Sequence, residues 1–106
     1  MDTARLEKIE AMLAEDPDDT FLRYSRAMEL SKLGRIDQSV PLLDALAAEE
    51  PPYIPAFFMA AQQLAHAGRA EEATGRLQAG IAAAERSGDA HAAGEMREFL
   101  STLPTD

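Results

Sequence analysis

Leu30-Ser31-Lys32-Leu33-Gly34-Arg35 returns 34 residues later as Leu64-Ala65-His66-Ala67-Gly68-Arg69. The same interval carries Ala14-Glu15-Asp16-Pro17 onto Ala48-Glu49-Glu50-Pro51. A fixed period of this length marks one supersecondary unit stacked on itself. In each copy a glycine follows a leucine-containing stretch, where a left-handed residue closes a helix. The prolines of the second pair stop a helix, because they lack the N–H that would continue it.

Working outward, residues 2–15 read as a helix, with Leu6, Ile9, Met12 and Leu13 at helical spacing and Asp2 or Thr3 as its cap. Pro17 ends it. Asp18 and Asp19 cap a second helix that runs to about Leu33 and closes at Gly34. A third spans about Ile36 to Glu49. Pro41 lies near its first turn, so this helix either starts late or loses one hydrogen bond. Pro51 and Pro52 stop it, and Pro55 lies near the start of a fourth helix ending at Gly68. A fifth runs from about Ala70 to Arg86. Ser87-Gly88 breaks it, and Asp89 caps a sixth to about Ser101. Connections this short force neighbouring helices to run antiparallel. The expected fold is all-α, in antiparallel helix hairpins, with about six helices and no room for a sheet or second domain.

Composition agrees. The chain has 106 residues, 46% hydrophobic and 27% charged, which suits an ordinary soluble globular domain. Alanine dominates the apolar share and there is no Trp, so helix is favoured over strand. Nineteen acidic residues against ten basic give a net charge of −9. That field opposes a phosphate backbone or an anionic lipid surface, so neither nucleic acid nor membrane is an expected partner. With no cysteine, thiol catalysis, disulfides and thiolate metal sites are excluded. No apolar run approaches the ~18 residues of a membrane span. Met1-Asp2-Thr3-Ala4-Arg5 does not open a signal peptide, so the expected compartment is the cytoplasm.

The period sets equivalences. Tyr24 pairs with Phe58, Ala27 with Ala61, Leu30 with Leu64 and Leu43 with Leu77, and small residues fall at Ser39 and Ala73. The first helix joins in phase with the third: Leu6 with Val40, Ile9 with Leu43, Met12 with Leu46. The chain thus divides into a half-repeat (2–17), a first repeat (18–51), a second repeat (52–87) and a closing helix (88–103). The closing helix is out of phase, since Glu98 falls where Leu64 predicts leucine, and it reads as a cap on the last apolar face.

This pattern resembles the tetratricopeptide repeat (TPR) family. Phe57, Ala60-Ala61, Leu64, Gly68, Ala73 and Leu77 carry the resemblance, with the Pro51 that ends the preceding repeat. The first copy keeps Ala27, Leu30, Gly34, Leu43 and Pro51. It departs at Arg23 and Arg26, which stand where Phe57 and Ala60 stand in the second copy. Glu85 replaces the terminal proline, and Gly80 the usual alanine, which suggests a close helix approach there. The resemblance implies an α-solenoid, a right-handed superhelical stack whose concave groove holds an extended peptide or a helix of a partner protein. It places Phe21, Tyr24, Met28 and Ser31 of the second helix in that groove, with Pro55, Phe58, Gln62 and Ala65 of the fourth. Phe21, Tyr24 and Met28 also form a helical stripe by spacing alone. The plainer reading is that the first helix or the cap buries this stripe. The lysine and asparagine clamp by which some relatives grip an acidic tail is absent, because Tyr24, Met28 and Met59 stand at its positions.

Little points to catalysis. His91 and Glu95 are four apart on the sixth helix, but no third metal ligand is placed by sequence, so they read as a solvated face. His66 lies at a helix C-terminus, where a cationic ring is favourable. No nucleophile–base spacing, phosphate loop or dinucleotide fingerprint appears. The sequence therefore predicts a non-enzymatic protein-binding module without cofactor or metal. Its partner is a peptide or helix, with basic flanks suited to the acidic rim. The alternative is that the same apolar face joins two copies in a homodimer, and an enzyme or metal protein is the remaining rival.

Overall fold

Gly34, Gly68 and Gly88 hold positive φ angles of 77°, 81° and 78° in a computed structural model that describes residues 2–104. After each glycine the chain makes the same closure. The N–H of Arg35 donates to the Leu30 carbonyl, that of Arg69 to Leu64 and that of Asp89 to Ala84, each at 2.8 Å. The glycine N–H itself donates to Ser31, Ala65 or Glu85. This paired return satisfies carbonyls that a helix end would leave orphaned. A β-carbon at any of the three would meet nothing within 4 Å, so glycine is required there by backbone conformation, not by space.

Six helices are thereby defined among the described residues: α1 (Ala4–Glu15), α2 (Thr20–Lys32), α3 (Ile36–Ala47), α4 (Ile54–His66), α5 (Ala70–Arg86) and α6 (Ala90–Leu100). Asp19 caps α2 by accepting the Leu22 N–H, and Asp89 caps α6 by accepting that of Ala92. At α1 the acceptor is Asp2, which takes the Ala4 N–H at 2.9 Å, while Thr3 turns its hydroxyl to Glu7. Because α3 starts at Ile36, Pro41 lies inside it. The hydrogen bond that Pro41 would have returned to the Asp37 carbonyl is lost.

Each helix packs on the next in sequence, and α6 also touches α4. The residues paired by the period are buried together: Ala27 and Ala61, Leu30 and Leu64, Leu43 and Leu77. The largest core cluster joins Leu64, Leu77, Ala84, Ala93 and Met96 across α4, α5 and α6. A second joins Ala27, Leu43, Leu46, Ala56 and Ala60 across α2, α3 and α4. A third, of Leu6, Leu30 and Leu33, attaches α1.

Met12 departs from its expected place. Leu6 and Ile9 are buried in phase with Val40 and Leu43, but Met12 is 42% exposed where its counterpart Leu46 is sealed. Leu46 is covered partly by Ala56 and Ala60 of α4. By the period the residues that would cover Met12 include Arg26, which instead approaches Glu10 at 3.3 Å. Arg5 similarly reaches Glu29 at 3.7 Å. The seam between α1 and α2 is thus partly ionic at the level where α3 and α4 meet through Leu46, Ala56 and Ala60.

One polar group is sealed in the core. Ser39 Oγ lies 2.8 Å from the Ala27 carbonyl oxygen and 2.7 Å from Gln63 Oε1, while Gln63 Nε2 has no partner. A hydroxyl has one proton to donate. Turning the Gln63 amide over lets its N–H donate to Ser39, and Ser39 then donates to Ala27. The knot ties α2, α3 and α4 at one level.

Candidate binding groove

The fourth helix begins Ile54-Pro55, and its first turns present Ile54, Pro55, Phe58, Met59 and Gln62 along one side. Tyr24 of α2 borders this side, and Ala92, Glu95 and Met96 of α6 stand opposite. Together they enclose an open hollow of about 400 Å³, whose mouth carries Asp89 and His91. Its position follows from packing. Met96 is fully buried, which draws α6 against α4 and α5. Phe58 then meets Phe99 of α6 with ring centroids 5.6 Å apart. Tyr24 leans edge-on against Tyr53 at 5.2 Å. Such tilted and edge contacts are the favoured arrangements for aromatic pairs.

Of the eight groove residues expected from sequence, Tyr24, Pro55, Phe58 and Gln62 line this hollow. Ser31 meets Gln62 in a smaller hollow of about 250 Å³, with Gly34, Ile36 and His66. Met28 is half-buried and lines neither. Phe21 is 71% exposed and also lies outside both. The aromatic stripe is therefore split: α6 partly covers Phe58, Tyr53 partly covers Tyr24, and Phe21 is open. Ala65 packs on the core instead of lining the hollow. The 34-residue register misses the contribution of α6. The signal was Ala92, Met96 and Phe99, spaced as one helical stripe.

Burial raises the Tyr24 phenol above its ordinary value, and the neighbouring Tyr53 adds to the effect. Away from the hollow, hydrogen bonding to Arg69 lowers the Glu72 carboxyl, and the same contact raises Arg69. Arg76 is raised chiefly by its two-pronged bond to Asp44, at 3.0 and 2.8 Å, which clasps α5 to α3. His91 Nε2 lies 3.5 Å from Glu95 Oε1. Among the described residues no group of three or more His, Cys, Asp or Glu side chains is arranged to hold a metal ion. None of the described helices is long and apolar enough to cross a membrane.

The molecule is thus an all-helical protein built of consecutive hairpins, with an apolar hollow at its α4–α6 face. A similar solved structure is the solution structure of protein BPP2914 from Bordetella parapertussis, a structural genomics target. The match has a TM-score of 0.78 and 30% sequence identity, and covers 95% of this chain and 87% of that one. At that identity and coverage the chain belongs to the same family as BPP2914. No family model and no curated protein matches it.

Proposed function

We propose that this chain is a non-enzymatic module of the tetratricopeptide type, a right-handed α-solenoid, that binds a peptide or helix of another protein in the cytoplasm. The observation that carries this reading is the hollow of about 400 Å³ with Tyr24, Phe58 and Met59 in its wall. Concave, largely apolar sites with a few polar groups at the edge are the usual form of a binding site. Aromatic and methionine side chains supply adaptable contact area at such surfaces. The repeat period, the glycine turns and the two in-phase leucine pairs support the tetratricopeptide assignment.

The test is affinity capture from a native lysate with the parent protein and a Tyr24→Ala/Phe58→Ala variant side by side. The parent retains a partner and the double variant loses it, while far-ultraviolet circular dichroism stays unchanged. Retention of the same partner by both proteins would remove this hollow from the interaction.

Self-association is the second reading, and the 71% exposure of Phe21 favours it. Large exposed aromatic side chains commonly meet a second copy. Sedimentation at two concentrations separates the readings, since a concentration-independent monomer rules out the dimer.

A further inference from the structure

The hollow beside Tyr24 does not end at Phe58. A second depression of about 290 Å³ lies beyond it, lined by Phe58, Glu95, Glu98, Phe99 and Thr102. Phe58 and Glu95 are common to both, so the two hollows form one surface with an aromatic ridge. Asp89, Glu95 and Glu98 line it, and neither lysine nor arginine does.

None of these three acids has an arginine or lysine partner among the described residues, in contrast to several acids elsewhere on the surface. Glu49, Asp44, Glu72 and Glu85 are each paired with an arginine. Asp89 is used in capping α6, where it accepts the Ala92 N–H at 3.0 Å. Glu95 has only the neighbouring imidazole of His91. Arg97, two residues further along α6, is taken by Glu85 of α5. Glu98 contacts no cationic side chain among the described residues. The surface thus pairs an apolar floor with two carboxylates that lack a strong cationic partner.

We infer that this double hollow takes a segment of a partner protein in which an aromatic or aliphatic side chain is flanked by lysine or arginine, an inference that rests on the peptide-binding reading above. The apolar side chain enters between Tyr24 and Phe58, and the flanking cations reach Glu95 and Glu98. A cation that passes over Phe58 or Phe99 gains the attraction of the ring face as well. A neutral segment leaves both carboxylates unanswered, and an acidic one is repelled by them and by the net charge of −9. The site lies at the α4–α6 end and does not use Phe21, Met28 or Ser31.

The experiment is selection from a random peptide library displayed on phage against the full chain, followed by fluorescence titration of the selected peptides. Enriched peptides carry an apolar residue flanked by lysine or arginine. Glu95→Gln/Glu98→Gln weakens them roughly five- to tenfold, as expected for two exposed ion pairs. The difference shrinks as salt rises. Phe58→Ala abolishes binding. Peptides that need Phe58 but show no basic bias, and that are indifferent to the glutamates, would overturn this inference and leave the peptide-binding reading intact. Failure to enrich any peptide, or enrichment of peptides that ignore Phe58, would overturn both.

Discussion

The hairpins α2–α3 and α4–α5 share one turn and one set of buried leucines, yet they fill their seams differently. In the first, Arg23 turns outward to Glu49 at 2.5 Å and Leu46 of α3 supplies the bulk. In the second, Phe57 of α4 supplies the bulk and Gly80 of α5 stands where Leu46 stood. A β-carbon on Gly80 would lie 2.6 Å from Phe57 Cβ and 2.5 Å from Met96 Sδ. The large side chain has changed helices, as volume-conserving repacking allows. The polar content differs too. Ser39 makes a buried knot with the Ala27 carbonyl and Gln63, while its counterpart Ala73 is buried without a hydroxyl. A repeat period thus preserves where helices meet, but not which side chain fills the meeting.

The strongest test of the shared part is truncation at its paired leucines. Leu43→Ala and Leu77→Ala each remove a fully buried side chain and should cost ~2–5 kcal/mol in chemical denaturation. A loss below ~1 kcal/mol at Leu43 would break the equivalence of the two copies.

A smaller effect tests the unshared part. Gly80→Ala should destabilise by ~1–3 kcal/mol, because the new methyl group overpacks Phe57 and Met96. The same change at Gly75, where a β-carbon meets nothing within 4 Å, should stabilise by up to ~1 kcal/mol through helix propensity. Equal responses at the two glycines would show that the exchange of bulk between α3 and α4 is not felt.

The smallest expected effect concerns the aromatic pair. Tyr24 is raised by burial and by Tyr53, so its neutral phenol is the form that folding favours. Its contribution is complete below the ordinary tyrosine range and is lost as pH rises through the folded value. Its counterpart Phe58 cannot ionise. Absorbance titration should therefore show a late phenolate component that Tyr24→Phe removes, with a shallower alkaline loss of stability. An unchanged titration in the variant would assign that component elsewhere.

The helices and turns were legible because each rests on local chemistry. Glycine after a helix, proline after an acidic pair, and aspartate before a helix need no tertiary information. Met12 was misplaced because its burial depends on which residues face it from α2, and one of them is an arginine paired to Glu10. Tyr24, Phe58 and Gln62 were set on one surface by the resemblance to the tetratricopeptide family, and they line one hollow. The contribution of Phe99 and Glu95 was not legible, because α6 follows its own register and docks through Met96 beside the unusual Gly80. The close approach at Gly80 was foreseen, but what came close was not.

The turns at Gly34, Gly68 and Gly88 have one more consequence, for the speed of assembly. They place α3, α5 and α6 each against its immediate predecessor, and the main pairings of the whole fold, α4 with α6 apart, join sequence neighbours. Chains dominated by contacts of short sequence separation close small loops and fold in about microseconds to milliseconds. Rapid-mixing refolding of this protein should therefore finish its main phase within that range, each hairpin serving as the template for the next.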